Sequence, residues 1–414
     1  MGKGWLIAAF ALTIVTLCAG LPTFKALTGP TTASSWRIEV VDNVGIPACV
    51  SMALDDNDYP HISYYDLANS KFKYAHWTGS AWKIENATDV YAYYGGSTSL
   101  ALDSQGRPHI SYYDATTKDL KYAWWTGSEW RIETVGNENV GLFASMALDN
   151  ADRPHVSYSN VLGDLKYALR TDGGWRTETI DNENYFVSSF TSIALDDNGT
   201  PHISYCGDTR LILDDPLRLI YVKRSENGWK TEIVDGSIYY FTSITLDSDG
   251  HPHIGYIDNG FSSFVTPPRS LKHASWTGSE WVIGTVDNEA LLYLHPSIAL
   301  DADDRPHISY LAIAPIGYHL KYAQLTEGGW RIETIDNAVF FGAIPDYFEK
   351  TSTVIDSHDR PHISYCSSHD AGGNLEYATV EVIESARDLF WLMIVVAICV
   401  GIGALVGLRL SRRG

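Results

Sequence analysis

Cysteine, basic charge and helical periodicity are all in short supply in this chain, and each shortage excludes something. Five cysteines in 414 residues cannot build a disulfide scaffold. Cys18 and Cys399 fall in apolar end segments, which leaves Cys49, Cys206 and Cys366 in the body, an odd number that cannot all pair within one chain. No CxxC occurs, and no cysteine–histidine spacing of zinc type. Thirty Lys and Arg stand against 50 Asp and Glu, a formal charge of −20, so the basic stripe that a nucleic-acid partner needs is missing. Stretches of helical periodicity are scarce, whereas Tyr, Trp and Gly are abundant at 25, 13 and 34, as expected of many short strands and tight turns.

Long apolar runs are confined to the ends. Gly4 to Leu21, behind Lys3, reads as a signal peptide or an uncleaved N-terminal anchor within residues 1–28. Leu389 to Leu408 carries no charge over 20 residues. As a helix it reaches about 30 Å at about 1.5 Å per residue, enough to cross a bilayer. Arg409, Arg412 and Arg413 follow at once, and positive residues beside a span stay in the cytoplasm. The sequence therefore predicts a body at 34–383 outside the cell, a linker at 384–388, a C-terminal transmembrane helix at 389–408 and a basic tail at 409–414. Asn86-Ala87-Thr88 and Asn198-Gly199-Thr200 are candidate glycosylation acceptors in that setting.

The body is organised around one heptapeptide, Pro60-His61-Ile62-Ser63-Tyr64-Tyr65-Asp66, which returns at Pro108, Pro154, Pro201, Pro252, Pro306 and Pro361. Subtracting successive prolines gives 48, 46, 47, 51, 54 and 55 residues, a period typical of propellers and solenoids. Within one repeat, Ser97 to Leu102 reads as a strand, Asp103 to Pro108 as a tight turn, and His109 to Tyr113 as a second strand. Leu120 to Trp125 and Trp130 to Val135 supply a third and a fourth. Four antiparallel strands per repeat make a propeller blade. The fourth-strand tryptophan recurs at Trp36, Trp82, Trp130, Trp175, Trp229, Trp281 and Trp330, out of phase with the heptapeptide. Trp36 precedes the first Pro-His strand and no tryptophan strand follows the last. The phase predicts an all-β, seven-bladed propeller in which the N-terminal strand closes the last blade and removes an exposed edge.

At these residues the sequence resembles the PHISYYD-repeat proteins of archaea and bacteria, whose repeats read LDxxGxPHISYYD, LKYAxWTGSxW and xIETVD. The match covers nearly the whole body, with Leu102 to Asp114 and Leu120 to Val135 close to a consensus copy. The resemblance implies a secreted or surface propeller and no assigned activity.

Repeated residues are weak candidates for chemistry. One histidine per blade, on the second strand out from the axis, cannot converge on an ion, so the seven are expected to pack the blades and no metal site or cofactor is assigned. The acidic turns Asp55 to Asp58, Asp247 to Gly250 and Asp301 to Asp304 match no full calcium loop. Arg107, Arg153, Arg305 and Arg360 precede the repeat proline and are read as repeat features. No nucleophile, base and orienting group stand out, so a catalytic set is not assigned. Asymmetry lies in the loops. Those from blade to blade, on the face shared with the second-to-third connections, carry aromatics: Tyr94, Phe143, Tyr185, Tyr240, Tyr293, Phe341 and Tyr347 head the candidates. Arg210, Arg218 and Arg269 add cationic groups for an acidic sugar. Cys49 and Cys366, near that face on adjacent blades, are a conceivable disulfide. The reading is a membrane-anchored surface protein that binds a glycan or an extracellular protein. An extracellular carbohydrate-active enzyme and a structural envelope component are the alternatives.

Overall fold

The computed structural model describes residues 35–89, 97–137, 140–181, 185–187, 190–209, 217–236, 238–258, 269–289, 292–313, 318–339, 351–369 and 372–381. The expected leader or anchor (1–28), linker, span and tail (384–414) lie outside the described residues. Among the described residues every regular element is a strand, and no helix is long and apolar enough to cross a membrane.

Seven antiparallel sheets follow one another along the chain. Blade 2 gives the pattern: Thr98–Leu102, Pro108–Asp114, Asp119–Trp125 and Trp130–Gly136 pair in sequence order. Blade 1 opens with Pro47–Leu54, blade 3 with Val140–Leu148, blade 5 with Ile238–Leu246 and blade 6 with Leu292–Leu300. In blade 4 the first strand is split, and Tyr185–Val187 and Ser192–Leu195 both pair with Pro201–Thr209. Blade 7 takes Thr351–Ile355, Pro361–His369 and Gly372–Glu381 from the end of the body and Ser35–Asn43 from its beginning. This is the propeller closed by its N-terminal strand that the phase of the tryptophans predicts. Beside that closure Gly45 and Gly373 exchange backbone bonds of 3.0 and 2.8 Å. A Cβ on Gly373 would stand 2.7 Å from Pro47 Cδ and 2.8 Å from the Gly45 oxygen, so only glycine fits there.

Each residue of the heptapeptide has a place. The proline opens the second strand, where a missing N–H is tolerated. The next residue but one is fully buried in every blade, as Ile62, Ile110, Val156, Ile203, Ile254, Ile308 and Ile363. In four blades the serine reaches the next blade: Ser63, Ser157, Ser204 and Ser309 bond the threonines Thr98, Thr191, Thr242 and Thr351 at 2.8 to 2.9 Å, whereas Ser111 and Ser364 are buried without a partner and blade 5 has Gly255 there. In four blades the first tyrosine reaches back to the preceding blade. Tyr64, Tyr256, Tyr310 and Tyr365 donate to Asp42, Asp235, Asp287 and Asp336 at 2.5 to 2.9 Å. A buried hydroxyl left unpaired would cost about 1–3 kcal/mol, so these bonds fix which neighbour a blade accepts.

The histidine joins a relay. Its Nε2 faces the first aspartate of the turn at 3.1 to 3.3 Å in His109–Asp103, His155–Asp149, His307–Asp301 and His362–Asp356, and at 3.7 Å in His61–Asp55, His202–Asp196 and His253–Asp247. A carboxylate only accepts, so Nε2 carries the proton and Nδ1 accepts from a third-strand tyrosine: Tyr74, Tyr122, Tyr167, Tyr221, Tyr322 or Tyr377. In blade 5, His273 replaces that tyrosine, with Nε2 3.1 Å from His253 Nδ1. The other oxygen of the turn aspartate accepts backbone N–H groups two and four residues on, as Asp103 does from Gln105 and Arg107. The repeated aspartates are thus turn-formers.

The fourth-strand tryptophan stands edge-on against the third strand of the preceding blade. The ring pairs are Trp82–Tyr377, Trp130–Tyr74, Trp175–Tyr122, Trp229–Tyr167, Trp281–Tyr221, Trp330–His273 and Trp36–Tyr322, with centroids 5.1 to 5.6 Å apart. All seven blade interfaces therefore use one joint. The disulfide considered between Cys49 and Cys366 does not form. Cys49 sits at a bulge with φ +53° and packs with Tyr65 and Phe72, whereas Cys366 packs with Val41 and Val44 on the other side of blade 1.

Candidate functional site

Strand directions define two ends of the ring. The turns from first to second strand and from third to fourth lie at one, the turn end. Second-to-third and blade-to-blade connections lie at the other, the loop end.

Along the axis runs a narrow shaft of about 130 Å³, lined by the seven first strands. One serine per blade faces it. Leu100 N donates to Ser51, Met146 N to Ser99, Ile193 N to Ser145, Ile244 N to Ser192, Ile298 N to Ser243, Thr353 N to Ser297 and Met52 N to Ser352, all at 2.9 to 3.3 Å. Seven links return to the starting blade. Towards the loop end Phe190, Phe241 and His295 close the shaft, with Phe143 against Phe190 at 4.8 Å and Phe241 against His295 at 3.8 Å. Bulges in the first strands aim Phe143 and His295 inward, at φ +57° and +48°.

The symmetry of the rim breaks at blades 3 and 4. The third strand, one residue before its hairpin, carries Trp77, Trp125 and Trp276 in blades 1, 2 and 5, each edge-on to the next tryptophan at 5.5 to 5.7 Å. Blades 3 and 4 carry Arg170 and Arg224 instead. Arg170 crosses to blade 2, lies 5.1 Å over Trp124 and bonds both oxygens of Glu133 at 3.0 Å. That bond holds the Glu133 carboxyl below its usual range, against burial. Arg224 crosses to blade 3, binds Glu178 and lies 5.2 Å over Trp229.

Two grooves open at the turn end beside these arginines. One, of about 310 Å³ between blades 2 and 3, is lined by Arg107, His109, Trp124, Arg153 and Arg170 among others. The second, of about 440 Å³ between blades 3 and 4, is lined by Arg153, His155, Tyr167, Arg176, Glu178 and Arg224 among others. Arg153 borders both. Its partner Asp149 is pushed up by burial but drawn down to about 2 by the Arg153 side chain, turn N–H groups and His155. In the second groove three arginines face one glutamate.

The sequence candidates fall differently. Tyr94, Arg210, Phe341 and Tyr347 lie outside the described residues. Tyr185, Tyr240 and Tyr293 belong to the strands Tyr185–Val187, Ile238–Leu246 and Leu292–Leu300, and their side chains lie outside the description. Phe143 is half-buried in the shaft closure. Arg218 opens the third strand of blade 4 and Arg269 precedes that of blade 5. Both are half-buried, and neither lines the three cavities above. Asn86 and Asn198 are exposed, as acceptors must be. Asp58, Asp356 and His358 bring three ligand-type atoms together at the turn end. Asp356 is already taken by Arg360 and His362, and Asp58 by Ser357. Arg170, Arg176 and Arg224 were not singled out from sequence. For Arg170 and Arg224 the signal is in the sequence, arginine twice where the other repeats have tryptophan or an aliphatic residue, whereas Arg176 matches the basic residue of most repeats.

No family model matches the chain, and no curated protein matches it. Solved structures do. The chain is similar to a PL25 ulvan lyase bound to -[GlcA(1-4)Rha3S]-, with TM-score 0.58, 13% identity, and coverage of 81% of this chain and 92% of that one. It is also similar to the polysaccharide lyase Uly1 (TM-score 0.50, 10% identity, 81% and 90% covered). A third similar structure is a triple arginine-to-alanine mutant of AofleA from Arthrobotrys oligospora (TM-score 0.50, 13% identity, 73% and 90% covered). At these identities the likeness is one of fold, and it supports the all-β seven-bladed propeller.

Proposed function

We propose that the protein is a glycan-binding propeller of the cell surface. The observation that carries this reading is the broken rim at blades 3 and 4. A ring of repeated interfaces gives way there to two grooves rich in guanidinium donors, tyrosine and tryptophan. Such walls suit a polyhydroxylated ligand: N–H groups bond hydroxyl and carboxyl oxygens, and aromatic rings take sugar faces. Two of the structures with this fold are named as polysaccharide lyases, which agrees with a carbohydrate ligand. In this reading the segments at 1–28 and 389–408 deliver and anchor the propeller outside the cell, as expected of the PHISYYD-repeat proteins. The full chain on a glycan array tests it. Retention of a defined glycan class, lost when Arg153 is changed to Ala, is the expected result. Retention of no glycan sinks the reading, and release of cleaved product from a bound polysaccharide replaces it by a catalytic one.

A further inference from the structure

In most blades the cation that follows the fourth-strand tryptophan has a carboxylate of its own. Arg37 pairs with Glu39 at 3.1 Å, Lys83 with Glu85 and Lys230 with Glu232 at 2.5 Å, and Arg331 with Glu333. The same glutamate serves the tryptophan of the next blade, as Glu39 does for Trp82 and Glu232 for Trp281. In blade 3 the corresponding pair is Arg176 and Glu178. Here Arg224 has crossed from blade 4 and taken Glu178. Two groups are left over. Arg176 is exposed and has no ion-pair or hydrogen-bond partner among the described residues. The Trp229 indole N–H, which Glu178 would serve by analogy, is buried without an acceptor, as is that of Trp130, although Glu85 there keeps Lys83. What sets this joint apart is therefore the exposed guanidinium of Arg176, left without the carboxylate that its counterparts keep.

We infer that the groove between blades 3 and 4 binds a carboxylate- or sulfate-bearing residue of an acidic polysaccharide, whose chain runs on past Arg153 into the groove between blades 2 and 3. The inference rests on the glycan-binding reading and specifies its site and its ligand. Arg176 supplies an unpaired cation at the groove wall. Arg153 and Arg224, with side chains 53% and 42% exposed, each keep N–H donors beyond those spent on Asp149 and Glu178. Guanidinium groups bind carboxylate and sulfate oxygens in pairs, with stronger bonds than neutral donors make. The groove, at about 440 Å³, is of the size small ligands occupy. Arg153 belongs to both walls, which makes the two grooves neighbouring subsites of one polymer. In the groove between blades 2 and 3, Trp124 with Arg170 above it offers an aromatic edge. The rest of the molecule works against anions, with a formal charge of −20. Three arginines against one glutamate is therefore a local exception, and a densely charged polymer such as nucleic acid is repelled elsewhere on the surface.

Four probes and the full chain decide it: polygalacturonate, its carboxyl-reduced form, dextran sulfate and dextran, with binding followed by calorimetry. Polygalacturonate or dextran sulfate should bind, more weakly as salt rises, and the uncharged probe matched to it should bind at least about tenfold more weakly. Arg176→Ala, which removes an exposed side chain with no partner, should cost about tenfold, the loss of one charge-assisted contact. Arg131→Ala is the control, the same position in blade 2 but paired with Glu129 and outside both grooves. It should change nothing. Arg224→Trp, which introduces the residue of blades 1, 2 and 5, should abolish binding of the acidic probe. Its melting temperature, compared with that of the parent chain, shows whether the ring is intact. If glycans bind but neutral and acidic forms bind alike, or Arg176→Ala binds as the parent does, this inference is overturned while glycan binding stands. If DNA or anionic-lipid vesicles bind with the same dependence on Arg176, the polysaccharide assignment is overturned. If no glycan binds at all, the reading beneath it has failed.

Discussion

Protonating a blade histidine would remove the Nδ1 acceptor that its tyrosine needs, so the relay works only with neutral imidazole. Burial enforces this. It lowers His61 and His202 to about 4, against the opposing pull of Asp55 and Asp196, and His273 to about 3. His109, His155, His307 and His362 are also lowered by burial, with their aspartates pulling the other way. An unfolded histidine takes its proton near 6.5, so between about pH 6.5 and 4 the unfolded chain binds more protons than the folded one. The stability held by neutral histidine is complete above 6.5 and drains as pH falls to the folded value, roughly 3 kcal/mol each for His61 and His202. Melting temperature should be flat above pH 7 and fall steadily from pH 6.5 to 4.5, with a shallower fall in His202→Gln. A curve level from pH 7 to 4.5 would falsify the neutral relay. The aspartates at the relay's far end, Asp103, Asp301 and Asp356, are themselves held low. Burial would raise them, but turn N–H groups, arginine and histidine outweigh it, so their contribution is lost only at lower pH.

At the scale of the element, the strand Ser35–Asn43 has the clearest energetic role. It covers the edge of Gly372–Glu381, and its Trp36 packs on Tyr322 of blade 6 while donating to Glu333 at 2.9 Å. Trp36→Ala should cost about 3 kcal/mol in chemical denaturation, the lower end for an aromatic truncated to alanine because Trp36 is half-buried. An unchanged midpoint would mean that blade 7 is complete without this strand. Much of the element level was legible in the sequence, because strand, turn and tryptophan positions each follow from local chemistry repeated seven times. The bulges at Cys49, Phe143 and His295 were not, since they arise where seven first strands crowd one axis. Phe143 consequently looked like a loop aromatic and is part of the shaft closure. The grooves were hidden for another reason. A third-strand arginine reads as an ordinary surface cation until the fold sets Arg224 beside Glu178, 46 residues away. The sequence points to the aromatic-bearing loops for asymmetry, whereas part of it lies in single substitutions within regular strands.

At the scale of the whole molecule, the links between blades do not depend on where the chain begins. Each of the seven serine links along the shaft joins one blade to the next, and the link from Met52 N to Ser352 spans the two ends of the body like any other. The same holds for Trp36 and Trp82, which bridge blade 7 to its neighbours as the other tryptophans do. The structural seam is therefore only the missing hairpin between Glu381 and Ser35, which the other blades fill with a turn such as Thr126 to Ser128. A circular permutant that joins Glu381 to Ser35 through Thr-Gly-Ser and opens the chain between Gly136 and Val140 should fold to the same ring and melt cooperatively. Loss of the cooperative transition would show that the order of synthesis, and not only the set of contacts, matters for closure. If the ring forms, the native start point is a choice among equivalents. What it confers is that the first and last strands of the body meet in one blade, so the ring is fastened by the pairing of the segments farthest apart in sequence.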